Sequence, residues 1–189
     1  MAKGGIISAI HQGSLAEELE LVPGDKIISI NEQELTDIID LSFALADEEI
    51  EMLIEHENGE QEIIAFEKDI DEELGAEFES AVFGKIRQCA NNCYFCFVDQ
   101  VAPNMRDSLY IKDDDYRLSF LYGNFVTMTN MGPRDLERIH RLHLSPLYIS
   151  VHTTNPKLRG EMLRTKRGEL IMEQLAKLNE ADVEYHTQV

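Results

Sequence analysis

"NFVTMTNMGPRDLERIHRLHLSPLYISVHTT" (residues 124–154) contains the pattern that decides the fold of the second half of the chain. Its first part, residues 124–131, is rich in apolar and β-branched residues and predicts a strand. Residues 132–144 predict a helix, with Pro133 in its first turn and apolar side chains repeating at helical spacing. Residues 146–154 predict a second strand. A strand, a helix and another strand in this order predict parallel pairing.

The same alternation extends outward in both directions. We predict a strand at residues 81–89, a helix at 113–123, a helix at 168–182 and a final strand at 183–189. This order predicts an α/β unit, a truncated partial TIM-like β/α barrel, in which ligands sit at the carboxyl ends of the strands.

The stretch "CANNCYFC" (residues 89–96) follows the first of these predicted strands and holds all three cysteines of the 189-residue chain. A disulfide would leave one thiol over and needs an oxidising compartment. Zinc would need a fourth ligand such as His140, His143 or His152, and there is no second cysteine pair. Three thiolates can hold an iron–sulfur cluster with one iron left open, which is the interpretation that the spacing favours.

Charge is distributed unevenly along the chain. The net charge is −19, from 17 Lys/Arg and 36 Asp/Glu, and residues 1–80 alone hold 3 of the basic and 23 of the acidic side chains. This acidic first part argues against nucleic-acid binding, since phosphates would be repelled. No apolar run reaches the roughly 20 residues of a membrane span, and no signal peptide is visible. We therefore expect a cytoplasmic protein without a membrane anchor.

The first 68 residues predict a small α+β domain. A strand at residues 4–10 is followed by a capping box at Ser14 and Glu17, a "VPGD" turn, a strand at 26–31, a helix at 36–47 and a hairpin around Asn58-Gly59. The stretch "GSLAEELELVPGDKIISINEQEL" (13–35) resembles a PDZ domain in its bacterial arrangement. We assign residues 1–68 to a PDZ-like domain, 69–79 to an acidic linker or connecting strands, and 80–189 to the α/β unit.

The PDZ resemblance implies a site for a peptide. The peptide C-terminus would add to the strand at residues 6–10, beside the helix at 36–47, with its carboxylate on the amides of Gly4 and Gly5. The acidic surroundings disfavour such a ligand, since Lys3 is the only cation near this turn. We expect the domain to dock on the second unit instead.

The cysteine spacing, with Phe95 before the third thiol, resembles the signature of radical S-adenosylmethionine (radical SAM) proteins. Together with "DDDYRLSFLYGNFVTMTN" (113–130) and "LSPLYISVHTTNPKLRGEMLR" (144–164), it resembles a bacterial subgroup that has an N-terminal PDZ-like domain and no assigned substrate. The resemblance implies a 4Fe-4S cluster on Cys89, Cys93 and Cys96, S-adenosylmethionine on the open iron, and production of a 5′-deoxyadenosyl radical. It also implies an electron donor such as ferredoxin or flavodoxin, and a substrate that the sequence does not identify.

The resemblance extends to the cofactor contacts. Many family members carry a Gly-Gly-Glu-type turn where this chain has "TMTNMG", so the contact with the methionyl amine falls on Thr129 and Asn130. Ser150 and His152 would contact ribose or carboxylate, and Phe95 the adenine edge. A structural strand-end role for His152 and a packing role for Phe95 are the alternatives.

Two charged groups predict surface features rather than sites. Asp113–Asp115 are adjacent carboxylates, which favour the charged start of a helix over a metal site. The basic residues that follow the strand at 146–154 favour a solvated loop: Lys157, Arg159, Arg164, Lys166 and Arg167.

Two further expectations concern the protein as a whole. The alternative to an enzyme is a PDZ-based binding or scaffold protein in which an iron–sulfur or zinc site serves structure alone. The radical SAM barrel has six strand–helix units, and four predicted strands fall within residues 80–189. We therefore expect an N-terminal fragment that is itself inactive.

Overall fold

The computed structural model describes residues 4–189, and the chain divides into two units at the step from Lys85 to Ile86. Lys3, the cation that the sequence places beside the Gly4–Gly5 turn, lies outside the described residues. Across residues 4–189, every helix is too short or too polar to cross a membrane.

The first unit is built on one antiparallel sheet. Its strand order is β5-β4-β2-β1-β6, and the short β3 pairs with β2. The strands are β1 (Gly5–Ile10), β2 (Lys26–Ile30), β3 (Gln33–Glu34), β4 (Glu49–Glu55), β5 (Gln61–Glu67) and β6 (Ala76–Phe78).

Two short helices, α1 (Leu15–Glu18) and α2 (Ile38–Ala44), complete the first unit. The Ser14 side chain caps α1 by accepting from the Glu17 amide, and the Asp37 carboxylate caps α2. Strand side chains that alternate between core and solvent pack with both helices into one apolar cluster, whose fully buried members include Ile7, Ala16, Ile27, Ile30, Leu35, Met52 and Ile54. This arrangement is the predicted PDZ-like domain.

Both edges of β1 are occupied. Gly5 lies opposite Ile27 of β2 on one side, and Ile10 lies opposite Ala76 of β6 on the other. β6 falls within residues 69–79, the range predicted as a linker or connecting strands. The strand edge expected to receive a peptide is therefore already paired within the chain.

The second unit has four α-helices in its described residues: α3 (Tyr116–Tyr122), α4 (Pro133–Arg141), α5 (Pro156–Leu163) and α6 (Ile171–Glu180). Two strands, β7 (Leu147–Ser150) and β8 (Tyr185–Gln188), pair in parallel. Two short 3-10 helices cover residues Asp107–Tyr110 and Lys166–Leu170.

Two of the predicted strands of this unit do not form. Residues 124–131 contribute a single parallel bridge from Val126 to Ile149, and the range 81–89 contributes only isolated bridges. The cause is that side chains take the main-chain donors: the Thr127 amide donates to Asp114, and the Arg87 amide donates to Asp115. The second unit is thus mixed α/β, and a partial TIM-like barrel is not shown by the residues described.

α5 was not predicted, and it replaces the solvated loop expected for residues 157–167. The Asn155 side chain caps it by accepting from the Leu158 amide, and Pro156 occupies its first turn. The helix ends at Arg164, whose φ of 54° is in the left-handed region. Arg159 is consequently carried into the interior of the unit.

The β4–β5 hairpin carries a pH-sensitive contact in the first unit. His56 Nδ1 lies 2.9 Å from Oδ1 of the buried Asp25, and Nε2 lies 3.4 Å from Oε2 of Glu62. These two carboxylates, Asp25 foremost, raise the pKa of His56 above its ordinary value of 6.5. The imidazolium is therefore favoured in the folded state.

We predict that the hairpin loses stability as pH rises through the raised pKa of His56. A group with a raised folded-state pKa stabilises the fold fully below its unfolded value and loses that contribution above its folded value. Hydrogen exchange of β4 and β5, corrected for the intrinsic pH dependence, measures this. His56→Ala should remove the dependence, and His140→Ala, on the exposed surface of α4, should retain it. An identical pH dependence in wild type and His56→Ala would contradict the prediction.

Candidate functional site

The three cysteines line one cavity of about 710 Å3 in the second unit. All three are free thiols of intermediate exposure. Phe95, Ser150 and His152 line the same cavity, so the structure brings together six of the eight predicted site residues. Thr129 and Asn130 are not among its lining residues, and their contact with a cofactor stays a prediction.

The cysteine loop is attached to its surroundings by main-chain bonds. The Cys89 amide donates to the carbonyl of Lys112 at 2.7 Å, and the Tyr94 amide donates to Met162 near the end of α5 at 3.3 Å. The Arg164 guanidinium lies over the Tyr94 ring, 5.2 Å from its centroid. The thiols are therefore presented by a loop with fixed ends rather than by a regular element.

A buried polar network holds the middle of the loop. Asn91, between the first two cysteines, accepts from Thr129 Oγ1 at 3.0 Å and donates to Thr127 Oγ1 at 3.2 Å. Thr127 in turn donates through its hydroxyl to Asp114 at 2.7 Å. We call these four residues the Asn91–Asp114 network. Because all of its polar groups are partnered, it positions the loop without cost from unpaired buried groups.

Asp114 is the anchor of this network and is almost fully buried, with 1% of its surface exposed. Burial raises the pKa of its carboxyl, and the Thr127 bonds act in the opposite direction. Asn130 donates to the Asp114 carbonyl at 2.8 Å. Thr129 and Asn130 thus both serve as supports of the site in this structure.

The three adjacent aspartates have separate partners, so the prediction of a charge cluster at a helix start was only partly right. Asp113 accepts from Asn124 at 2.8 Å, and Asp114 belongs to the buried network. Asp115 alone caps α3, and its carboxylate also pairs with Arg117. Three consecutive side chains point in different directions, which is why they do not converge on one point.

His152 is a polar group of the cavity that has no protein partner at one nitrogen. Its Nδ1 is buried and unbonded among the described residues, and its φ of 62° is in the left-handed region. The ring centroids of His152 and Phe95 are 5.0 Å apart. Burial lowers the pKa of His152, and the charge of Arg159 lowers it further. A neutral imidazole therefore faces the cavity near pH 7.

Arg159 is the largest departure from the sequence-based expectation. It is fully buried, at 0% exposure. Its guanidinium donates to four main-chain carbonyls, at 2.8 Å to Val151 and Ser150 and at 2.9 Å to Thr127 and Gly168. Burial lowers its pKa to about 10, so it still carries a positive charge at neutral pH.

Burial and a nearby positive charge shift the pKa values of two of the thiols in opposite directions. Burial raises the pKa of Cys89, and burial together with the neighbouring thiols raises that of Cys93 to about 11. Lys112 lines the cavity and is paired with Asp99, and its positive charge lowers the pKa of both thiols. Cys89 and Cys93 are therefore protonated at neutral pH, and a bound metal has to displace their protons.

A single metal ion and a cluster require different arrangements of the three thiols. No group of three His, Cys, Asp or Glu side chains in residues 4–189 is arranged to hold one metal ion. In a cubane cluster each thiolate binds a different iron, so three sulfurs around one cavity do not have to converge on one point. No fourth cysteine exists in the chain.

Sequence reasoning missed Asn91, Asp114, Thr127 and Arg159. One signal was available: Thr127 and Thr129 are two residues apart, and residues at this spacing share a face of an extended segment. The roles of Asn91 and Asp114 depend on long-range contacts, which no local pattern encodes.

Comparison with known families gives two matches. A family model described as a Radical SAM-like domain matches residues 68–189, and one described as a PDZ domain matches residues 6–56. The two occur in the order that the sequence analysis predicted. No curated protein matches the chain.

We predict that Asn91→Ala loosens the cysteine loop. The change removes the acceptor of the Thr129 hydroxyl and a donor to the Thr127 hydroxyl, at a cost of about 0.5–1.5 kcal/mol per lost hydrogen bond. Hydrogen exchange of residues 88–97 should rise at least tenfold. Asn92→Ala is the matched control, because Asn92 is the exposed neighbour in the same loop. Equal exchange in the two variants would show that the network does not position the loop.

Proposed function

Because the chain belongs to the radical SAM-like domain family, we propose that its second unit holds a 4Fe-4S cluster and binds S-adenosylmethionine. Cys89, Cys93 and Cys96 are the proposed cluster ligands. The whole protein would then be an enzyme of this superfamily that produces a 5′-deoxyadenosyl radical and uses it to oxidise or modify a substrate.

The observation that carries the proposal is the meeting of three thiols in one cavity with polar and aromatic side chains. The cavity of about 710 Å3 has room for more than a metal ion. Three protein thiolates leave one iron of a cubane free for a further ligand. When bound, the cluster supplies one electron to the sulfonium of S-adenosylmethionine, and the protein contributes binding and orientation.

Two cations offset the negative charge that three thiolates bring into this site. Arg159 is buried and interacts electrostatically with Cys93, and Lys112 lies at the cavity wall beside Cys89 and Cys96. A buried negative group needs such compensation, because it has lost the solvation of water. Arg159 is fixed by four carbonyls, so its charge stays in place when the cavity is filled.

Two polar side chains of the cavity are suited to orient a nucleoside. Neutral His152 offers an unpartnered Nδ1, and Ser150 offers a hydroxyl at the end of β7. We assign both to ribose or carboxylate contacts. Phe95 presents an apolar ring beside His152 and is assigned to the adenine edge.

Partners complete the proposal. An electron donor such as ferredoxin or flavodoxin would reduce the cluster. Docking of the PDZ-like domain on the second unit and a location in the cytoplasm are also proposed.

The decisive experiment is anaerobic reconstitution of the longest available form of the protein with iron and sulfide. We predict a brown protein whose electron paramagnetic resonance spectrum, after reduction, changes when S-adenosylmethionine is added. S-adenosylhomocysteine, which lacks the sulfonium, should not be cleaved to 5′-deoxyadenosine. A cluster whose spectrum ignores S-adenosylmethionine would favour the alternative of a PDZ-based protein with a structural iron–sulfur site.

We further predict that Cys89→Ala, Cys93→Ala and Cys96→Ala each reduce iron and sulfide content to background. Each change removes one of three protein ligands, and the chain holds no spare cysteine. His140→Ala and His143→Ala are the controls and should load normally, since both side chains are exposed on or just after α4. A full cluster in any cysteine variant, or metal loss in a histidine variant, would contradict the assignment.

A further inference from the structure

The outer edge of β1 in the first unit is the edge at which a PDZ-like domain adds a peptide strand. β6 occupies that edge: Ile7 lies opposite Phe78, Ala9 opposite Glu77 and Ile10 opposite Ala76. Since β2 pairs with the other edge, β1 has no free edge left for an incoming peptide.

β6 also runs in the direction that a bound peptide takes. It is antiparallel to β1 and advances toward the Gly4–Gly5 turn, where the Glu79 amide donates to the Ile6 carbonyl at 3.0 Å. A peptide bound by its C-terminus would end at this turn. The chain instead continues past it.

Beyond the turn, the segment reaches the start of α2. The Ile38 amide donates to Ala81 at 2.9 Å, and the Phe83 amide donates to Thr36 at 2.9 Å. Residues 76–83 thus engage both elements that frame a PDZ groove, the strand and the helix. We call residues 76–83 the groove segment.

Two phenylalanines of the groove segment cover the turn itself. The ring centroids of Phe78 and Phe83 are 5.4 Å apart. A Cβ atom on Gly5 would lie 2.7 Å from the Phe78 ring and 2.6 Å from the Phe83 ring, so only glycine fits beneath them. Gly4 and Gly5 are both buried. Their amides are therefore closed to a carboxylate from solution.

From these contacts we propose that the groove segment is the PDZ-like domain's own ligand, bound in cis. The PDZ-like domain then binds residues 76–83 of its own chain. These residues lie inside the region that matches the radical SAM-like domain, which starts at residue 68. The PDZ-like domain does not serve as a receptor for free peptide C-termini. The proposal depends on neither the cluster nor S-adenosylmethionine.

Tethering and charge both favour the internal ligand. A tethered segment competes at an effective concentration on the order of millimolar. A free peptide of equal intrinsic affinity would have to reach that concentration to displace the groove segment from half of the protein molecules. The free peptide also brings a carboxylate toward a domain in which residues 1–80 hold 23 acidic and 3 basic side chains.

The test uses the full chain and removes one hydrogen bond of the groove segment. Glu79→Pro removes the amide that donates to Ile6, while its side chain is exposed and its removal leaves the core intact. Glu79→Ala is the matched control, because it keeps the amide. The probes are a synthetic peptide of residues 75–83 with a C-terminal amide, and a panel of peptides with free carboxylates.

Wild type and Glu79→Ala should bind none of the probes below about 1 mM, which is the effective concentration of the tether. They should also protect the amides of β1 and Glu79 from hydrogen exchange. Glu79→Pro should exchange β1 amides at least tenfold faster and should bind the amidated peptide in trans. Either of two results would overturn the proposal: micromolar binding of a free-carboxylate peptide to wild type, or unprotected β1 and Glu79 amides in wild type. The second result is measured on the wild type alone, so it tests the proposal even if Glu79→Pro does not fold.

Discussion

The guanidinium of Arg159 donates to main-chain carbonyls from three separate parts of the second unit: the end of β7, the segment before α4 and the 3-10 helix before α6. Each carbonyl left unpaired in the interior costs about 1–3 kcal/mol. The total stability of a domain is about 5–15 kcal/mol, so these four bonds together represent a large part of it. The positions of Ser150 and Thr127, and through Thr127 the cysteine loop, follow from this one contact.

That contact also sets the electrostatics of the cavity. A charge fixed by carbonyl dipoles does not move toward a ligand, so its influence on His152 and Cys93 is constant. Lys112, in contrast, is held by an exposed ion pair with Asp99 and can rearrange. The cavity thus combines one permanent and one adjustable positive charge beside the thiols.

Sequence reasoning found the elements whose signals are local. The helices α3, α4 and α6 and the strands β7 and β8 lie inside their predicted ranges, because apolar spacing and turn residues specify them directly. The strand predicted at 124–131 failed because Asp114 captures the Thr127 amide, a contact between residues 13 positions apart. α5 was missed although Asn155 and Pro156 form a readable helix start, since its basic residues suggested solvent exposure. The cysteines, singled out by their spacing, their number and the strand predicted before them, line one cavity, while Asn91 has no signature outside the folded network.

The first unit shows the same division between local and distant information. The "VPGD" turn and the Asn58-Gly59 hairpin were predicted from their own residues, and β2, β4 and β5 formed around them. β6 has only three residues in an acidic stretch, and it becomes a strand because β1 is there to receive it.

The antiparallel pairing of β1 and β6 has a mechanical consequence. The chain enters β1 at Gly5 and leaves β6 at Glu79, and antiparallel geometry places these two points at the same end of the pair. Tension along the chain first loads the bonds of Phe83 and Ala81 at the start of α2. Once these are broken, it loads the hydrogen bonds of the strand pair one after another, beginning with the bond from Glu79 to Ile6. Sliding along the strand axis would have to break all of the bonds at once. The β1–β6 pairing therefore withstands a larger force in shear than when its hydrogen bonds are broken one at a time from this end.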